Sequence, residues 1–164
     1  MLKYLYSEVT FAEIPDEINL CFSVTNCAGL CRECHSPELR QDIGKCLKTN
    51  VIQEICRNPG ISCICFLGEG LKNKEAVYEW KEIVESVRVW NPKLKIALYS
   101  GRSEVEEWIW ETFDYVKVGP YLPEKGPLDN PNTNQRLYKI NYETKEKTDI
   151  TYLFWRKHYD KNNS

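Results

Sequence analysis

Apolar and polar positions along the chain follow two periods in turn. Residues 4–11 and 17–24 alternate with the period of two expected of strands, and Pro15-Asp16 marks a turn between them. The run Ile61-Ser62-Cys63-Ile64-Cys65-Phe66-Leu67 is almost continuously apolar, which suits a strand buried on both faces. Residues 94–99 and 115–118 read as two further strands, ended by Ser100-Gly101 and Gly119-Pro120. Between the strands the period changes to that of a helix. Residues 74–90 set Val77, Trp80, Val84 and Val87 on one face with Ala76 and Ile83 beside them, and Asn91-Pro92 stops that helix. A shorter helix is expected from Asn50, with Gln53 as its capping partner, Val51, Ile52 and Ile55 as its apolar face, and Asn58-Pro59-Gly60 as its end. Ser103 and Glu106 predict a capping box for a third helix reaching about Glu111. Residues 136–141 and 148–154 are expected to pair as a hairpin. Pro37 to Gly44 and the proline-rich residues 119–134 show neither period and read as irregular. The tail beyond Lys157, polar and terminal, is expected to fray.

Strand, loop and helix recur in that order, which implies parallel strands joined by right-handed crossovers. A closed eight-stranded barrel takes about 250 residues. With 164 residues, the expected fold is α/β: an open, partial (β/α) barrel with mostly parallel strands, one domain spanning residues 1–164. Its 42% apolar composition is enough for a core. The formal net charge is −2, from 22 basic and 24 acidic residues with no block of either sign. Neither a nucleic-acid nor a membrane surface is expected from that distribution. The first eight residues hold too short an apolar run for a signal peptide, and no stretch approaches the length of a membrane span. A cytoplasmic location is therefore expected.

Eight cysteines change this picture. In a reducing compartment, clustered cysteines more often bind metal or act in catalysis than form disulfides. Three fall within Cys27-Ala28-Gly29-Leu30-Cys31-Arg32-Glu33-Cys34, spaced C-x3-C-x2-C in a glycine-containing segment that reads as a tight loop. Iron–sulfur clusters are usually held by four cysteine thiolates. Three close thiols therefore suggest a cubane with one iron left open for chemistry. Of the other five, Cys21, Cys56, Cys63 and Cys65 are expected to pack as small buried residues, while Cys46 is left open. One alternative is a zinc-binding interaction module using Cys27, Cys31, Cys34 and Cys46, because similar spacings occur in zinc sites. His35 as a fourth ligand is disfavoured by its adjacency to Cys34.

Ligands of parallel α/β sheets lie at the carboxyl ends of the strands. The cysteine loop follows the first expected parallel strand, Gly68-Glu69-Gly70 the second, Ser100-Gly101 the third and Gly119-Pro120 the fourth. Those loops should converge on one site.

The cysteine spacing resembles that of radical S-adenosylmethionine enzymes. Glu13-Ile14-Pro15-Asp16-Glu17-Ile18, His35-Ser36-Pro37-Glu38-Leu39 and Asn134-Gln135-Arg136 look like segments of the anaerobic ribonucleoside-triphosphate reductase activating proteins. The similarity spans roughly residues 10 to 140. It implies a [4Fe–4S] cluster on Cys27, Cys31 and Cys34, and S-adenosyl-L-methionine as cofactor. Gly68 and Glu69 would hold the methionine part of that cofactor. The backbones of Glu33 and His35 would touch it, and Ser100 would contact its ribose or carboxylate. Related enzymes carry Gly-Gly-Glu-Pro or Gly-Gly-Asp-Pro where this chain has Leu67-Gly68-Glu69-Gly70, so the first glycine and the proline are replaced. The implied activity is reductive cleavage of the cofactor and generation of a glycyl radical on the reductase, with flavodoxin or ferredoxin as electron donor. A radical enzyme acting on a small molecule is the alternative within the same chemistry. Asn134-Gln135-Arg136 is either a contact to partner or cofactor, or the polar start of a strand.

Overall fold

The structure, a computed structural model, describes residues 1–29, 31 and 33–156. The expected fraying beyond Lys157 lies outside the described residues. Strands β1 (Lys3–Thr10) and β2 (Asn19–Val24) are followed by a 3-10 turn at Pro37–Arg40 and a two-residue strand β3 (Lys45–Cys46). Then come helix α1 (Leu47–Arg57), β4 (Cys63–Leu67), α2 (Lys74–Trp90), β5 (Lys95–Tyr99), α3 (Glu107–Thr112) and β6 (Tyr115–Val118). The last described elements are β7 (Arg136–Ile140), β8 (Lys147–Asp149) and a 3-10 turn at Thr151–Trp155.

The eight strands among the described residues form one open sheet in the order β3-β1-β2-β4-β5-β6-β7-β8. This corrects the expectation of a mostly parallel partial (β/α) barrel. Only β2–β4, β4–β5 and β5–β6 pair in parallel. The pairs β1–β2, β1–β3, β6–β7 and β7–β8 are antiparallel. The physical reason lies in the connections. A parallel neighbour needs a crossover long enough to travel back along the sheet, usually through a helix. Crossovers through α1, α2 and the short α3 supply three parallel pairs. The link between β1 and β2 and the turn between β7 and β8 contain no helix, so each returns the chain antiparallel. The sheet is mixed, with a parallel centre and antiparallel margins.

One face of the sheet is covered by the helices. Trp80, Ile83, Val84 and Val87 of α2 and Val51 and Ile55 of α1 pack on Leu20, Phe22, Ile64, Phe66, Ile96 and Leu98. Trp80 is the largest of the fully buried side chains. Its ring meets Phe66 edge-on at 4.9 Å and Phe113 at 6.0 Å. The helix over residues 74–90 has the bounds its periodicity predicts, and Asn73 caps it by accepting from the Ala76 N–H. Helix α1 starts three residues before Asn50, because Asn50 donates its amide back to the Cys46 carbonyl (2.7 Å) rather than capping a start of its own. Helix α3 starts at Glu107 rather than at Ser103. The Glu106 carboxylate that was to complete the capping box accepts from Arg102 instead.

The other face carries a smaller cluster of Ile14, Cys21, Cys63, Cys65, Ala97, Tyr115 and Leu137. Cys21, Cys63 and Cys65 are buried, as small apolar residues would be, and burial pushes the Cys63 and Cys65 thiols up. Cys56 departs from the expectation: it lies on the exposed side of α1. No helix among the described residues is long and apolar enough to cross a membrane.

Candidate functional site

The three parallel pairs align the carboxyl ends of β2, β4, β5 and β6 on one edge of the sheet. From β2 the chain runs through Thr25 and Asn26 into the cysteine loop. Thr25 and Asn26 are pinned before the first thiol arrives. Thr25 donates its N–H to the Lys3 carbonyl (3.0 Å) and its hydroxyl to the Ile43 carbonyl (2.8 Å). The Asn26 N–H donates to Gln41 O (3.2 Å) and the Cys27 N–H to Leu39 O (2.9 Å). Asn26 itself sits at φ 61°, a left-handed conformation that Asn adopts more readily than most residues. Residues 39–43, part of a segment without any hydrophobic period, thus form the backing rail of the loop. Arg40 extends the rail by donating to the Cys31 carbonyl (3.0 Å).

Cys27, Cys31 and Cys34 are all half-buried and free. Gly29 lies between the first two. A Cβ at that position would stand 3.3 Å from Cys27 Sγ and 3.8 Å from Cys31 Sγ, so the missing side chain leaves a cradle open beside both sulfurs. The Gly29 N–H already points at Cys27 Sγ (3.4 Å). Among the described residues no group of three or more His, Cys, Asp or Glu side chains converges on one point where a single metal ion could sit. Cys46 stands at the start of α1, beyond β1, and joins no such group. A four-iron cluster makes a different demand, since its thiolates bind separate irons. Three half-buried thiols spread along a loop, with a glycine cradle between two of them, fit that donor chemistry.

Glu33 is exposed and holds a left-handed φ of 54°, turning the loop ahead of Cys34. His35 is exposed, and its ring lies 5.1 Å from that of Tyr121. The remaining predicted residues come together across the edge. Gly68 has φ 113°, which disfavours any side chain, and a Cβ there would press to 3.3 Å against the Val24 carbonyl. Glu69 is buried, with its side chain 9% exposed. The Ser100 hydroxyl donates to one of its oxygens. Trp80 fixes the Glu69 backbone by donating its indole N–H to the Glu69 carbonyl (3.0 Å). Thus the residue that anchors α2 in the core also sets the position of the site carboxylate.

Two charged residues that the sequence reading did not single out complete the site. Arg102 forks onto Glu69, with Nε 3.0 Å from one oxygen and Nη2 donating to the other, and also grips Glu106. Its two carboxylate partners raise the Arg102 pKa, hydrogen bonding from Glu106 first and from Glu69 second. Lys117 of β6 is 8% exposed and donates to the carbonyls of Gly119 (2.9 Å) and Ser100 (3.4 Å). Burial pushes its ammonium down to about 8, opposed most strongly by Cys31 and then by Glu13. Arg102 belongs to no pattern visible in one dimension. Lys117 interrupts an otherwise apolar strand, and that interruption was the available signal.

Asn134-Gln135-Arg136 packs against the turn after β6. Asn134 donates to the Pro120 carbonyl (3.0 Å), and a Cβ on Gly119 would meet the Gln135 Cα at 3.1 Å. The Asn134 side-chain oxygen is buried without a hydrogen-bond partner among the described residues. Arg136 opens β7 and reaches Asp149 at 3.8 Å. Beside this turn lies a cavity of about 700 Å3, lined by Glu13, Asp16, His35, Tyr121, Phe154 and Arg156 among others. Burial raises the Glu13 carboxyl above its ordinary range.

No protein-family model matches the chain. No curated protein is found similar to it. No solved structure is found similar to it.

Proposed function

We propose that the chain is a radical S-adenosylmethionine enzyme that activates an anaerobic ribonucleoside-triphosphate reductase, with Cys27, Cys31 and Cys34 holding a [4Fe–4S] cluster. The observation that carries this reading is the cysteine loop at the carboxyl end of the parallel strands, with its three half-buried thiols and the cradle left by Gly29. When bound, such a cluster supplies one electron to the sulfonium of S-adenosylmethionine, and the cleaved cofactor supplies the radical that removes hydrogen from a backbone glycine of the reductase. The protein's part is binding, orientation and exclusion of water.

Each residue of the edge has a task in that scheme. The rail from Leu39 to Ile43 holds the loop backbone at Asn26, Cys27 and Cys31. Glu69 offers a buried carboxylate to the amino group of the methionine part, and Arg102 and Ser100 keep that carboxylate in one orientation. A charge-assisted hydrogen bond of this kind is roughly twice as strong as a neutral one. Gly68, whose φ of 113° and approach to the Val24 carbonyl disfavour a side chain, would form the turn that presents Glu69 to the methionine part. Tyr121, at the start of the proline-rich loop with its ring 5.1 Å from that of His35, would meet a partner protein beside the cysteine loop. Flavodoxin or ferredoxin would deliver the electron.

The experiment is anaerobic reconstitution with iron and sulfide, followed by mixing with S-adenosylmethionine, a reductant and a candidate reductase. A brown protein with about four irons per chain, and a glycyl radical in the electron spin resonance spectrum of the mixture, are expected. A colourless protein that takes up zinc and not iron would overturn the proposal. A full cluster and cofactor cleavage without any glycyl radical would move the substrate from a large protein to a small molecule.

A further inference from the structure

Lys117 is a buried cation in an unusual setting. Its strand β6 lies inside the sheet, between β5 and β7, and its side chain shares the face that carries Tyr115 and Leu137, away from the helices. It is paired in register with Tyr99, whose ring lies 5.7 Å from Nζ. An ammonium has three donors. Two of them go to neutral backbone carbonyls, those of Gly119 and Ser100. No carboxylate among the described residues forms an ion pair with it. A buried charge without an opposite charge is costly, and folds keep one where it meets an anion.

The surroundings indicate which anion. Ser100, whose carbonyl accepts from Lys117, is followed by Gly101, and a Cβ on Gly101 would stand 4.0 Å from Cys31 Sγ. The residue whose carbonyl holds the ammonium and the residue that passes beside Cys31 are thus neighbours in the β5–α3 turn. Of the groups that oppose the effect of burial on Lys117, Cys31 comes first, ahead of Glu13 and Cys65.

We infer that Lys117 is a built-in counter-cation for the thiolate-bound iron–sulfur cluster and that its charge raises the cluster's reduction potential. The inference rests on the proposed function, since it presupposes a cluster on Cys27, Cys31 and Cys34. Reduction adds negative charge to a centre already carrying thiolates. A fixed positive charge in a low-dielectric surrounding favours the reduced form. Net charge and hydrogen bonding around the sulfurs are two of the levers by which a protein sets such potentials. Lys117 acts through the first, and its two carbonyl contacts hold it in place for that role.

The test compares Lys117→Met, Lys117→Gln and Lys117→Arg with the wild type after anaerobic reconstitution. Iron and sulfide content, the visible spectrum and the melting curve establish that each variant folds and carries a cluster. The midpoint potential is then read by a redox titration followed by electron spin resonance. At the wild-type midpoint, Lys117→Met and Lys117→Gln should show a reduced-to-oxidised ratio at least tenfold lower, a shift of about 59 mV for one electron. Lys117→Arg keeps the charge and should stay near the wild type. Should Lys117→Met fail to fold, Lys117→Gln, which keeps a donor for the two carbonyls, carries the comparison. An unchanged midpoint in the neutral variants, with the cluster present, overturns this inference and leaves the proposed function standing. An equal shift in Lys117→Arg overturns it in favour of packing. A wild type that takes up no cluster overturns both.

Discussion

Replacing Arg102 by Met removes the guanidinium from Glu69 and Glu106 while keeping most of the aliphatic stem. The Glu69 side chain is 9% exposed and that of Arg102 30% exposed, so the pair straddles the boundary between core and surface. Removing one partner of a fully buried pair costs about 3–5 kcal/mol, because a charge is left buried and uncompensated. An exposed pair is worth about 0–1 kcal/mol. Glu69 would keep the Ser100 hydroxyl but lose both of its charge-assisted contacts with Arg102. The expected loss therefore falls between the two limits, at about 2 kcal/mol. For a chain of this length that corresponds to about 4–8 °C in melting temperature. The assay is equilibrium urea unfolding of the wild type, Arg102→Met, Glu69→Gln and the double variant. The two residues touch, so their effects should not add. The double variant should be more stable than the sum of the singles predicts by about 1–2 kcal/mol. A loss below about 0.5 kcal/mol in Arg102→Met, or strict additivity, would refute the view that this ion pair holds the site carboxylate in place.

Three further expectations follow from particular contacts. Cys27→Ala, Cys31→Ala and Cys34→Ala should each lose the intact cluster and cofactor cleavage, whereas Cys21→Ala, Cys56→Ala, Cys63→Ala and Cys65→Ala should keep full iron; iron and sulfide analysis separates the two groups. Trp80→Ala removes the ring that joins α2 to Phe66 and Phe113 and its bond to the Glu69 carbonyl, so unfolding experiments should show a loss of about 3–5 kcal/mol. Arg102 holds the Glu106 carboxyl down to about 2 from its ordinary 4.5. A depressed carboxyl contributes stability that is present above its unfolded value and lost as pH falls through its folded one. Melting temperature should therefore drop between about pH 4.5 and pH 2, and Glu106→Gln should flatten that limb; an unchanged acid limb would show that the contact does not persist in solution.

Much of the local structure was legible in one dimension. The period of 3.6 over residues 74–90 and the stop at Asn91-Pro92 depend only on neighbours along the chain, and helix α2 has those bounds. The buried run ending at Leu67 and the strand Tyr115–Val118 were equally plain, because a strand covered on both faces shows its burial as composition. The three clustered cysteines are a matter of spacing, and so is their place after β2. Helix starts were less legible where a side chain had two possible partners. Asn50 and Glu106 both look like caps in sequence, and both are engaged elsewhere.

Tertiary structure decided the rest. Alternating strands and helices say that parallel pairs exist, but not how the outer strands add. The direction of β1, β3, β7 and β8 is settled by connections without a full α-helical crossover and by which free edge each strand can reach, and these margins make the sheet mixed. The same holds for the site. Residues 39–43 have no periodicity, yet they hold the cysteine loop through backbone bonds that leave no mark on residue type. Arg102 is one arginine in a turn until β5 brings it beside Glu69. Lys117 is one cation in an apolar strand until pairing with Tyr99 sets it under the carbonyl of Ser100. Sequence carries what depends on spacing along the backbone. Electrostatic partners dozens of residues apart depend on distances that exist only once the sheet has formed.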